Sequence, residues 1–129
     1  MSARKYDYGH PFFEWAANSG LIADAKAIKS PSLKLRDFYK GRANAFREFD
    51  DMLSSKYDIH AVKKDTFTAS EVKDSERWLH AQAAEQIKVI KNYHKLPRFA
   101  IRESIDFYYG QHKTFEEIAR RVKMLLKPA

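Results

Sequence analysis

Leu35, Phe38, Phe46, Phe49 and Leu53 recur at the spacing of one helical face, in a stretch that holds no proline. The spacing predicts a long helix over about 33–56 with a strongly aromatic side. A face of that kind must be covered by other elements, so it demands a multi-helix core. Gly41 sits inside it, where glycine costs about 1 kcal/mol relative to alanine. Its presence suggests close approach by another backbone.

Punctuation elsewhere is sparse. Four glycines and four prolines divide 129 residues, and the pieces between them read as helices. Residues 1–10 read as a flexible N-terminal arm, and 11–129 as a single helical domain. Pro11 suits a first helical turn, and Asn18-Ser19-Gly20 reads as a stop. A second short helix spans Leu21 to Lys29 and ends at Ser30-Pro31. The stretch 57–67 alternates only partly and reads as a short strand or an ordered loop. Thr68 and Glu71 have the spacing of a capping box, opening a helix that runs to about Leu96-Pro97. Another helix is expected over 97–109, closed by Gly110. Thr114 and Glu117 suggest a second capping box, before a last amphipathic helix over about 115–126. The expected architecture is all-α: a compact single-domain bundle of four main helices, with one or two short N-terminal ones.

Composition narrows the partners. Hydrophobic residues make up 44% and aromatic residues 14%, too much for a disordered chain of this charge. The net charge is +7, which favours nucleic acid, an anionic surface or an acidic protein. Cysteine is absent, which excludes disulfides and thiolate metal sites. No secretory leader or membrane span is visible in the sequence, and a cytoplasmic location is expected.

The charge is organised. Lys73, Arg77, Lys88, Lys91 and Lys95 fall within an arc of about 80°, together with Ala81 and Ala84. Val72, Leu79, Ala83 and Ile90 point the other way, and no acid lies in the arc. Side chains at i, i+3 and i+7 repeat along a rigid element and can meet successive phosphates. The competing explanation is an ordinary solvated face, since a lysine-rich helix has a basic polar side for no functional reason. Arg120, Lys123 and Lys127 form a second cationic side near the C-terminus. There the spacing also allows Glu116–Arg120 and Glu117–Arg121 pairs that would neutralise it locally.

The segment from Thr114 to Val122 resembles the supporting helix of helix-turn-helix proteins, with Ala119 in the small packing position. A second arrangement makes 115–126 the recognition helix, with Arg120, Arg121 and Lys123 toward a groove. The first needs a recognition helix after it, and the second needs a turn at 110–114. Arg42 lies within the aromatic face of the long helix, so it must snorkel, pair with an acid or meet a partner. Phe12, Phe38, Phe46 and Phe49 are expected in the core. Trp78, Tyr108 and Tyr109 suit half-exposed positions.

Signs of catalysis are few. His10, His60, His80, His94 and His112 form no i,i+3 or i,i+4 pair, and there is no HExxH, Gly-rich phosphate loop or nucleophile elbow. Asp50-Asp51 and Glu116-Glu117 are adjacent and diverge by about 100° on a helix, so neither is a natural acid–base pair. The sequence therefore points to a non-catalytic nucleic-acid-binding accessory or regulatory protein, without cofactor or metal. Its phosphate contacts would be Lys73, Arg77, Lys88, Lys91, Lys95, Arg120, Lys123 and Lys127. The alternative is a protein-interaction module that docks on an acidic partner.

Overall fold

The aromatic face of the long helix is the inner wall of a four-helix bundle. The computed structural model describes the backbone of residues 5–7, 9–57, 66–100 and 103–124, and the side chains of residues 14–57, 67–99 and 103–124. Strand β1 (Lys5–Asp7) leads into α1 (Gly9–Lys29) and α2 (Leu33–Tyr57). Strand β2 (Thr66–Thr68) precedes α3 (Ala69–Asn92). Two 3₁₀ turns, Tyr93–Lys95 and Arg98–Ala100, then lead to α4 (Ile105–Met124). Helix α4 packs against both α2 and α3, while α1 packs on α2.

Local chemistry sets several boundaries. Ser30 Oγ donates to the Lys26 carbonyl at the end of α1, and Pro31 follows. Ser32 Oγ accepts from the Leu35 N–H at 3.1 Å, capping the start of α2. The capping box at α3 forms as its spacing predicts. Thr68 Oγ1 accepts from the Glu71 N–H at 3.1 Å, and Glu71 Oε1 accepts from the Thr68 N–H at 2.9 Å. The strand expected within 57–67 appears only at its end. Phe67 pairs with Tyr6 in an antiparallel register, Lys5 facing Thr68 and Asp7 facing Thr66. Residues 58–65 lie outside the described residues.

Two expected breaks are absent. Asn18-Ser19-Gly20 lies inside a continuous α1. Ala23 and Ala27 are buried on that helix, and packing of this kind outweighs a local preference to stop. Gly110 is likewise interior to α4 rather than its end. The turn at 110–114 does not exist, and the reading of 115–126 as a recognition helix falls with it. Thr114 is no cap either. It is buried in mid-helix, and its hydroxyl accepts from Arg42 at 3.3 Å.

Gly41 and Gly110 explain each other. A Cβ on Gly41 would run into the Phe107 carbonyl, and one on Gly110 would run into the Phe38 carbonyl. The backbones of α2 and α4 cross in contact at these two residues. Below the crossing lies the core, with Phe46, Phe49 and Leu53 from α2, Val72, Leu79 and Ala83 from α3, and Phe115, Ile118, Ala119 and Val122 from α4. Phe67 of β2 closes one end of it, with its ring edge-on to Tyr57 at 5.5 Å. Trp78 is half-buried as expected, set between Phe49 and Phe115. Phe38 is only partly covered, and Leu35 is exposed. The side chain of Phe12 lies outside the described residues.

Polar groups thread this interface in an ordered chain. Asn44 Nδ2 donates to Gln111 Oε1 at 2.6 Å, and Gln111 Nε2 donates to Gln86 Oε1 at 2.8 Å. The chain thereby links α2, α4 and α3. Asn44 also donates to Glu48 Oε1 at 3.2 Å. Arg42 pairs with Glu117 and lies 5.2 Å from the Phe46 ring centre. It is thus an acid-paired structural cation. Burial pushes the Glu48 carboxyl above the usual range, against the Asn44 hydrogen bond that pulls it down, and Asp51 nearby adds to the rise. A carboxyl raised in the folded state favours folding at low pH and loses that contribution as pH climbs from 4.5 through its folded value. Glu48→Gln keeps an acceptor for Asn44 and removes the charge. The variant is expected to melt at or slightly above wild type at pH 7, and to flatten the decline in stability above pH 4.5. Thermal melts across that range check it, and a lower melting temperature at neutral pH would contradict it.

Candidate nucleic-acid interface

Helix α3 turns one side inward and one side to water. Val72, Ser75, Leu79, Ala83 and Gln86 are buried. Lys73, Arg77, Lys88 and Lys91 are all exposed on the opposite side, with Ala81 and Ala84 between them. From Lys73 to Lys91 the strip runs about 27 Å, at 1.5 Å per residue. Lys95 is exposed too, but it stands on the 3₁₀ turn beyond the end of α3. The helix therefore presents four of the five expected residues as one row, and the fifth follows where the chain changes direction.

Acids border the strip. Asp74 lies 3.4 Å from Arg77 and 4.0 Å from Lys56. Glu85 lies 3.4 Å from Lys88. Among the described residues, no carboxylate comes within ion-pair distance of Lys73 or Lys91. Exposed pairs of this kind contribute only about 0–1 kcal/mol each. A phosphate, which offers a stronger charge-assisted partner, can displace such a carboxylate.

His80 shares the solvent face of the strip, with Glu76 at 3.4 Å. A lone histidine carries no motif, although its place on the helical wheel falls beside Lys73 and Lys91. Arg98 is also exposed, on the second 3₁₀ turn. The expected helix over 97–109 concealed it, because that helix starts only at Ile105.

The cations of α4 divide differently. Arg120 and Lys123 are exposed, while Lys127 lies outside the described residues. Arg121 is engaged over the Trp15 ring, 4.4 Å from its centre, which ties α4 to α1. The two local pairs expected on α4 are replaced by others. Glu117 turns to Arg42 across the interface, and Glu116 binds His112 Nε2 at 2.5 Å. His112 Nδ1 sits 3.0 Å from the Ala83 carbonyl, so this residue joins α4 to α3. Arg120 and Lys123 are left without a carboxylate partner among the described residues.

Among the described residues, no group of three His, Asp or Glu side chains could hold a metal ion. No described helix is long and apolar enough to cross a membrane. Comparison with protein-family models, curated proteins and solved structures gives no match.

Proposed function

We propose that the protein binds nucleic acid without catalysis, gripping phosphates with the water-facing side of α3. The observation that carries this reading is the exposure of Lys73, Arg77, Lys88 and Lys91 in one row on the side opposite the core. Lys95 continues the row past the helix end, and Arg120 and Lys123 add a second cationic surface. The small side chains of Ala81 and Ala84 leave space for a backbone to lie close. A net charge of +7 supports association with a polyanion over the whole surface.

Counterion release supplies the test. Five contacts to duplex DNA give a slope of log affinity against log salt of about −4.5, at roughly −0.9 per contact. The measurement is fluorescence anisotropy of a labelled duplex at several salt concentrations. Lys73→Ala combined with Lys91→Ala removes two lysines of α3 that have no acidic partner among the described residues, and the slope should shrink by about 2. A slope unchanged by the double variant would overturn the role of the strip. Affinity for an acidic protein, with none for nucleic acid, would reassign the strip to protein docking.

A further inference from the structure

Helix α1 is dressed the wrong way round for an outer helix. Its inward side carries small residues, with Ala23 and Ala27 buried against α2. Its large aliphatic residues face water. Ile28 is 85% exposed, Leu21 68% and Ile22 55%, with Leu33 at 68% and Leu35 at 46% on the start of α2. Such a concentration of large apolar side chains in one patch marks an interaction surface. An open groove of about 410 Å³ runs along its flank, between Ile22, Ala25 and Lys29 of α1 and Pro31, Leu35 and Tyr39 beyond.

The charges on the two edges of the patch identify the occupant. In heptad terms Asn18 and Ala25 take the a positions and Leu21 and Ile28 the d positions. Asp24 then stands at g and Lys29 at the following e. Both are exposed, and neither has an ion-pair partner among the described residues. We infer that this face pairs with the same face of a second copy of the chain, with the two α1 helices parallel across a two-fold axis. In that arrangement each Asp24 meets the other copy's Lys29, because g of one helix faces the next e of its partner. The contact occurs twice by symmetry. Antiparallel pairing would bring like edge to like edge, g against g and e against e, and no Asp24–Lys29 contact would form. Leu21 and Ile28 stack in layers along the axis, with Ala25 as the hole between them, and the groove beside Ile22 receives the edge of the opposing helix.

The test uses the full chain. Light scattering over a wide concentration range should show a monomer–dimer equilibrium. Leu21→Lys with Ile28→Lys should give a monomer whose circular dichroism is unchanged. Asp24→Lys should weaken the dimer about tenfold, and adding Lys29→Asp should restore it. The chain has no cysteine, so Ile28→Cys gives a single thiol. Under mild oxidation it should cross-link copy to copy in the parallel arrangement and not in the antiparallel one. A wild-type monomer at every concentration overturns the proposal. A dimer that is indifferent to Asp24→Lys alone and gives no Ile28→Cys cross-link overturns it equally.

Discussion

Gly110→Ala is expected to destabilise the fold by about 3 kcal/mol, at the upper end of what overpacking costs. For a chain of this size that is a fall in melting temperature of roughly 10 °C. Helix propensity alone predicts the opposite sign, since alanine in mid-helix gains about 1 kcal/mol over glycine. The sign is decided by the neighbour. A new Cβ on Gly110 would overlap the Phe38 carbonyl and come within 3.2 Å of the Arg42 nitrogen, and backbone cannot swing aside as a side-chain tip can. To make room, α4 must move off α2, which opens the Arg42–Glu117 pair and the hydrogen bond from Asn44 to Gln111. Gly41→Ala should behave alike, because its Cβ would strike the Phe107 carbonyl from the other side. Gly20→Ala is the internal control. Among the described residues its Cβ would touch only Phe46, at an ordinary 3.5 Å, and the variant should be as stable as wild type or up to about 1 kcal/mol more so. Thermal unfolding of the three variants checks the set. If Gly110→Ala melts above wild type, the contact between the helix backbones is not as described.

The same two glycines show how far the sequence could be read. Gly41 interrupts a strong periodic face, so a reason for it had to lie outside its own helix, and close backbone approach was the legible one. Gly110 lies where the apolar pattern on either side could belong to two helices or to one. Only the partner surface on α2 distinguishes a turn glycine from a crossing glycine, and no local signal carries that information. Asn18-Ser19-Gly20 fails for a related reason. Its stop signal is real, but Ala23 and Ala27 bury against α2 and hold the helix together across it. The capping box of Thr68 and Glu71 was readable because cap chemistry is local. The same spacing at Thr114 and Glu117 misled, since both side chains answer to Arg42, more than seventy residues away. The exposure of the α3 strip followed from periodicity. The flanking acids were visible as well, but which lysines they would engage depends on rotamers and not on spacing. The outward aliphatic face of α1 is not legible in the sequence, which shows an apolar helix without showing which side the bundle covers.

Gln111→Leu should cost about 3 kcal/mol, through the partners it abandons rather than the bond it loses. Gln111 is 4% exposed, and its amide bridges Asn44 on one side and Gln86 on the other. Leucine has nearly the same volume, so the cavity term is small. The cost comes from one Asn44 N–H and the Gln86 carbonyl left dry, at about 1–3 kcal/mol for each unsatisfied buried group. Asn44 can still donate to Glu48, which relieves only one of its two protons. This origin predicts a particular non-additivity. Adding Gln86→Leu to the first variant removes one orphaned carbonyl, so the second substitution should cost little or even recover stability. If the chain of amides merely filled space, the two substitutions would add. Chemical denaturation of the single and double variants measures the coupling directly, and additive losses would deny the network its role. A satisfied chain of this kind also fixes how α2, α3 and α4 slide against one another, since a shift of one helical turn would strand Gln111 without partners. Apolar side chains repack more readily and enforce register less strictly. The exposed face of α3, and every phosphate contact proposed for it, thus depends on amides buried on the helix's other side.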